Sequence, residues 1–94
     1  MIKSYKDKRT EKFSDGEFVK QFEPFSVAAE RRLAMLSGAD SFDDLRRIPG
    51  NHLEALRADR AGQHSIRINR QWRICFVWNA EEGCAEQVEI TDYH

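Results

Sequence analysis

Apolar and polar residues alternate along residues 65–78 (SIRINRQWRICFVW), and this alternation predicts a β-hairpin. Successive side chains of a strand point to opposite faces, so each strand has one apolar face. The apolar positions are Ile66, Ile68, Trp72, Ile74, Phe76 and Trp78. They share one face only if paired residue numbers sum to an even number, because a slip of one residue exchanges the two faces. A loop over residues 69–71 meets this condition and pairs Arg67 with Arg73.

The first half of the chain has a helical pattern after a short alternating strand at residues 2–5. Residues 10–22 carry a rough apolar stripe that Asp15 and Gly16 interrupt, which predicts a kink or two short helices. Residues 25–36 form the clearest amphipathic helix, and Ser37-Gly38 ends it. The two helical segments together predict a helical hairpin.

The second half predicts strands joined by turns. Ser41 can cap a short helical turn, and residues 52–56 predict a strand. A charged loop at residues 57–63 precedes the hairpin, and residues 85–91 form the last strand with Val88 and Ile90 inward. The order predicts an α+β fold in which a helical hairpin packs on one face of a small, mainly antiparallel sheet. The other face is left open and carries Arg67, Arg73, Glu89, Thr91 and Tyr93.

The length and composition of the 94-residue sequence predict one small globular domain over positions 1–94. No apolar run is long enough to span a membrane, and the N-terminus lacks a signal-peptide core. Cys75 and Cys84 have no zinc-ligand spacing and fit reduced thiols in a cytoplasmic protein. We therefore expect no metal site, no cofactor and no membrane partner.

Charge is unevenly distributed although the net charge is only −1. All 15 lysines and arginines lie in residues 1–78, and five acids without a single Lys or Arg lie in residues 79–94. Such a local basic patch can bind a polyanion. The region around the hairpin holds the patch residues Arg57, Arg60, Arg67, Arg70 and Arg73.

The predicted pairing of Arg67 with Arg73 places like charges opposite each other, which destabilises a sheet. Two interpretations remain open. Either a carboxylate such as Glu86 or Glu89 compensates the arginines on a solvated face, or the face binds an anionic ligand. Arginine forks match the geometry of phosphate groups, so the second interpretation points to a phosphate.

The last three residues, Asp92, Tyr93 and His94, offer an acceptor, a phenol and an imidazole. His52 and His64 are the other groups that titrate near neutral pH. A ribonuclease without a metal needs a group that takes the 2′-hydroxyl proton, a group that protonates the leaving 5′-oxygen, and a cation for the charge on phosphorus. The tail and the arginine face could supply these parts, although a terminal histidine is also commonly a frayed chain end.

Three stretches carry a family resemblance. The run IPGNHLEALRADRAGQHSIRINRQWRICFVW at residues 48–78, the ending VEITDYH at residues 88–94 and AERRLAML at residues 29–36 resemble the HigB toxins. These belong to the RelE/ParE superfamily of type II toxin–antitoxin systems, in the group of plasmid maintenance killer proteins. One departure is Asp59, where the family pattern has Asn.

The resemblance implies a RelE-like fold and a ribosome-dependent mRNA endoribonuclease, or mRNA interferase, that inhibits translation without a metal. Arg73 matches the arginine of the WRI motif that contacts the scissile phosphate. Asp92, Tyr93 and His94 match the terminal Asp-Tyr-His, in which the histidine is the favoured acid–base group. The resemblance also implies that His52 takes the place of an upstream family histidine.

The basic residues of the family map less uniquely. A second family arginine of the hairpin aligns near residue 69, with Arg67 and Arg70 as the alternatives. Arg57 lies where the family has a basic residue, and Arg60 belongs to the same patch. We expect these arginines to bind RNA on the ribosome.

The implied partners are the 70S ribosome, mRNA and a neutralising helix-turn-helix antitoxin of the HigA type, through which alone the complex would contact operator DNA. An alternative is a ParE-like toxin that inhibits DNA gyrase without cleaving RNA, since it would share the fold. A third is an interaction protein that only titrates the antitoxin. The Asp-Tyr-His tail together with Arg73 distinguishes the nuclease, because a gyrase inhibitor would not need them.

Overall fold

The structure is a computed structural model that describes residues 1–93, so the candidate His94 lies outside the described residues. The first half of the described chain contains the α-helices α1 (Lys8–Ser14), α2 (Ser26–Gly38) and α3 (Phe42–Arg46). A 3-10 segment at Lys20–Phe25 leads into α2.

The predicted helix at residues 10–22 is broken where Asp15 and Gly16 suggested. Helix α1 ends at Ser14, and Gly16 adopts a φ of +91°, which a glycine reaches without steric cost. The chain then forms a 3-10 segment rather than a second α-helix, and this segment contains Pro24. Proline lacks the amide proton and clashes within an α-helix, which explains why the second of the two predicted short helices is a 3-10 helix.

Within residues 1–93, four antiparallel strands form one sheet in chain order: β1 (Glu54–Ala55), β2 (His64–Arg67), β3 (Arg73–Asn79) and β4 (Cys84–Thr91). The predicted N-terminal strand is reduced to two isolated parallel bridges that Ile2 and Tyr5 make with β4. The meander and the helices on one face confirm the predicted α+β fold.

The hairpin register is confirmed. Ile66 pairs with Ile74, and Arg67 pairs with Arg73. The amide of Ile68 donates to the carbonyl of Trp72 at 3.0 Å, which closes the hairpin as the parity argument requires.

The predicted strand at residues 52–56 is shorter than expected. His52 has a left-handed backbone (φ 44°, ψ 54°) after a 3-10 turn at Pro49–Asn51, so the chain becomes extended only at Glu54. The loop that follows contains a second 3-10 turn at Ala58–Arg60. These turns bring the loop back over the sheet.

The core lies between the helices and the apolar face of the sheet. Helix α2 contributes Leu33 and Leu36, and Phe22 packs edge-on against Trp72 with ring centroids 5.8 Å apart. The sheet residues that the sequence placed inward are fully buried at Ile66, Ile74, Phe76, Val88 and Ile90. The apolar stripe of the hairpin is therefore confirmed as core.

The opposite face of the sheet is not wholly open, which corrects the sequence-based expectation. Ser65 and Cys75 lie on it and are fully buried. Arg60 and Tyr93 from outside the sheet reach onto this face, with the Arg60 guanidinium 5.5 Å from the Tyr93 ring centre. The loop before β2 and the segment after β4 thus cover its centre.

Candidate functional site

Arg73 is half-buried at the start of β3 and is held by neutral oxygens. Its Nε donates to the hydroxyl of Ser65 at 2.7 Å, and its Nη2 donates to the carbonyl of His52 at 2.5 Å and to that of Ser65 at 3.4 Å. Within residues 1–93 no carboxylate forms a salt bridge with Arg73, and its Nη1 makes no hydrogen bond. The guanidinium is therefore oriented while its charge and one amino group remain available.

Tyr93 is anchored beside Arg73 by the same serine. Its phenol oxygen lies 2.9 Å from Ser65 Oγ, and the phenol donates to a Glu54 carboxylate oxygen at 3.4 Å. Glu54 is exposed in β1, whereas Tyr93 is half-buried. Ser65 thus touches two candidate site residues at once.

Arg60 is committed to an internal ion pair. Its Nη1 donates to Glu89 at 3.2 Å and to Gln63 at 3.2 Å, and both charged side chains are mostly buried, at 22% and 16% exposure. Beneath them, burial raises the pKa of the Cys75 thiol to about 11. The predicted compensating carboxylate, Glu89, therefore exists, but it pairs with Arg60 and not with the hairpin arginines.

The other predicted basic residues lie along the hairpin and the preceding loop. Arg67 is half-buried and donates through Nε to the carbonyl of Asn69 at 3.2 Å. Arg70, at the hairpin tip, and Arg57 are exposed. Across the described part of the chain, no acidic side chain forms a salt bridge with any of these three arginines.

The remaining tail and histidine candidates differ in what they contribute. Asp92 is exposed and accepts from the Gln71 side chain at 2.7 Å, which ties the end of β4 to the hairpin loop. His52 is exposed, and its backbone carbonyl accepts a hydrogen bond from Arg73. His64 lies apart, packed against Phe42 with ring centroids 4.7 Å apart, where burial and Arg46 lower its pKa. The structure thus brings Arg73, Tyr93 and the His52 backbone together.

Sequence reasoning did not identify Ser65 or Glu54 as site residues. A signal was present for Ser65, because it pairs with Cys75 and so lies diagonal to Arg73 across the strands, on the same face. Diagonal neighbours lie within reach of long side chains. Glu54 lies beside Ser65 because the two residues pair across β1 and β2. The sequence pattern of so short a strand does not determine this register.

The fold is shared with solved toxin structures. Two structures of the YoeB–YefM toxin–antitoxin complex from Staphylococcus aureus match the whole chain and 98% of theirs, with TM-scores of 0.56 and 0.57 at 15% identity. The α+β fold of this chain is therefore the fold found in these toxin–antitoxin structures.

Sequence similarity narrows this class to one family. A model of the family described as the RelE-like toxin of the type II toxin–antitoxin system HigB matches residues 3–94. Toxin HigB-1 of Vibrio cholerae serotype O1 is 38% identical over 80 residues, which cover 83% of this chain and 84% of that toxin. An uncharacterised protein of Haemophilus influenzae is 38% identical over 52 residues, 55% of this chain and 52% of its own length. The chain belongs to the HigB toxin family.

No helix within residues 1–93 is long and apolar enough to cross a bilayer.

Proposed function

We propose that this toxin is a ribosome-dependent mRNA endoribonuclease that works without a metal. The observation that carries the proposal is the state of Arg73. Its guanidinium is fixed by the Ser65 hydroxyl and by backbone oxygens, and no carboxylate of residues 1–93 neutralises it. A fixed cation without an internal counter-ion is suited to a phosphate, which it can bind through its unused Nη1.

In the proposed reaction the ribose 2′-oxygen attacks phosphorus as it loses its proton, and the 5′-oxygen leaves as it gains one. Arg73 stabilises the negative charge that develops on the phosphate oxygens. His94, adjacent to Tyr93 in sequence, is the proposed proton-transfer group, with Asp92 and Tyr93 supporting it and the His52 imidazole as an upstream candidate.

RNA contacts in this proposal come from Arg57, Arg67 and Arg70, which lie on the hairpin and the preceding loop and form no salt bridge with an acidic side chain among the described residues. They would bind the phosphates of mRNA and ribosomal RNA, so association would weaken steeply with salt. Arg60 was predicted to join them, but its pairing with Glu89 leaves it less available.

The partner proposed for the free toxin is a HigA-type antitoxin, with contact to operator DNA made by the antitoxin in the complex. The support is general: the solved relatives of the same fold are toxin–antitoxin complexes. The 70S ribosome is the proposed target, and the cytoplasm is the compartment that this target requires.

The test is to map mRNA 5′ ends shortly after induction of the wild type, Arg73→Ala and His94→Ala. Arg31→Ala is a matched control, because Arg31 is an exposed arginine on α2. We expect cuts within translated codons for the wild type and the control, and a loss of about 10²-fold or more in Arg73→Ala, as for other groups that stabilise developing charge.

Intact mRNA during growth arrest by the wild type would overturn the proposal and favour a gyrase inhibitor of the ParE type. Arrest and cleavage that persist when Arg73→Ala is combined with His94→Ala would equally contradict the assigned residues.

A further inference from the structure

Four polar groups on the arginine-bearing face form one hydrogen-bonded chain. Arg73 Nε contacts Ser65 Oγ at 2.7 Å, Ser65 Oγ contacts the Tyr93 phenol at 2.9 Å, and the phenol contacts Glu54 at 3.4 Å. The four residues come from the first three strands and from the segment after β4. We propose that Ser65 is a positioning residue that fixes the Arg73 guanidinium and the Tyr93 phenol relative to each other, with Glu54 setting the direction of the hydrogen bonds.

The direction follows from the chemistry of the groups. An arginine Nε can only donate, so the Ser65 oxygen accepts from Arg73 and its own proton is free for the Tyr93 oxygen. The Glu54 carboxylate can only accept when ionised, so the phenol proton points to it. Each hydroxyl then accepts one hydrogen bond and donates one, and the chain runs from the cation to the carboxylate.

Burial makes Ser65 the rigid member of this chain. Its side chain is fully buried, whereas Arg73 and Tyr93 are half-buried and Glu54 is exposed. Its backbone is held on both sides, by pairing with Glu54 in β1 and with Cys75 in β3. A buried hydroxyl with a fixed backbone can hold two half-buried side chains in one geometry, which is the support that precise sites require.

The hydrogen-bonded chain of side chains also connects the end of β4 to Arg73, which contacts the scissile phosphate in the proposed reaction. Tyr93 has no strand partner, since β4 ends at Thr91. The contact with Ser65 and the Arg60 guanidinium over its ring hold it in place. Positioning of Tyr93 by Ser65 therefore holds the segment after β4 beside Arg73.

The first measurement does not require nuclease activity. Proton exchange of the Arg73 Nε–H with solvent can be followed by nitrogen-15 NMR in the free toxin. In the wild type we expect the Arg73 Nε–H to exchange at least about tenfold more slowly than the Nε–H of the exposed Arg31. When the Ser65 hydroxyl is removed, the exchange rate of the Arg73 Nε–H should rise to that of Arg31.

Two variants of equal shape isolate the hydroxyl. Ser65→Thr and Ser65→Val both add a branch at a buried strand position, so they share any cost of packing, but only threonine keeps the oxygen. We expect Ser65→Thr to preserve slow exchange and Ser65→Val to lose it. Equal exchange rates in the two variants would overturn the inference.

The second measurement rests on the proposed function. Single-turnover mRNA cleavage on saturating ribosomes should be about tenfold slower in Ser65→Val than in Ser65→Thr, with the half-saturating ribosome concentration unchanged. A change in ribosome affinity alone would contradict a positioning role.

Glu54 offers a variant free of folding effects, because it is exposed. Glu54→Ala removes the acceptor of the phenol proton and should cleave several-fold more slowly than the wild type, with the exposed Glu81→Ala as control. If the wild type cleaves no mRNA, the proposed function fails, and the exchange rates of Arg73 still decide whether Ser65 positions it.

Discussion

The structure differs most clearly from the sequence-based prediction at Arg60. The charge pattern of the sequence placed this residue in the basic patch and predicted that it binds RNA. Its guanidinium donates to Glu89 and Gln63 at 3.2 Å and lies over the Tyr93 ring. The Arg60 and Glu89 side chains are only 22% and 16% exposed. We therefore expect Arg60→Ala to act first on stability.

The size of the effect follows from these contacts. A hydrogen bond to a charged group contributes about 1.5–3 kcal/mol when one partner is removed. Lys6 remains 3.7 Å from Glu89 and keeps part of the compensation, so we expect a loss of about 1–3 kcal/mol. Each kcal/mol lowers the Tm of a domain of this size by about 4–8 °C.

Urea unfolding of Arg60→Ala, Glu89→Ala and the double variant measures the coupling between the two side chains directly. We expect a coupling of about 1 kcal/mol or more, and no loss of stability in the exposed control Arg31→Ala. If Arg60→Ala unfolds at the wild-type urea concentration but binds ribosomes more weakly, the internal pairing is unimportant and the original RNA-binding prediction stands.

Three further predictions concern single contacts. Thr10→Val should cost about 1–3 kcal/mol in urea unfolding, because the buried amide of Ile90 donates to the Thr10 hydroxyl at 3.0 Å and would lose its acceptor; an unchanged midpoint would contradict this. Burial raises the pKa of Cys75 from 9.0 to about 11, so the folded state keeps a proton that the unfolded chain releases. Stability should therefore fall by about 2–3 kcal/mol between pH 9 and 11, and Cys75→Ala should abolish this part of the slope. His52→Ala should change stability by about 0.5 kcal/mol or less and leave Arg73 Nε–H exchange slow, because the bond to Arg73 uses the backbone carbonyl; fast exchange would refute that assignment.

The parts of the fold that the sequence predicted are those set by local periodicity. The parity of the apolar positions determined the hairpin register, including the Arg67–Arg73 pair, and the Asp15-Gly16 break appeared where local turn chemistry placed it. The early end of the strand at residues 52–56 depended on the left-handed backbone of His52, for which the sequence offers no glycine signal.

The candidate site was predictable only in part, for a related reason. Arg73 and Tyr93 could be proposed from their chemistry and a family resemblance, whereas the groups that hold them are a serine, a backbone carbonyl and an exposed glutamate. Such groups carry no distinctive sequence signal. The pairing of Arg60 with Glu89 spans 29 residues and depends on a loop that folds back over the sheet, so a charge count along the chain could not reveal it.

The structure shows which groups surround the like-charge pair of the hairpin, Arg67 and Arg73. The interpretation of a solvated face predicted that a nearby carboxylate would neutralise Arg67 or Arg73. The nearby carboxylate, Glu89, instead compensates Arg60, and the acceptors of Arg73 among residues 1–93 are neutral oxygens. Neutral acceptors orient a guanidinium without cancelling its charge, so the repulsion between the paired arginines persists in the free toxin. A bound phosphate would relieve it, and this difference between the free and bound states favours the anion-binding interpretation over the solvated face.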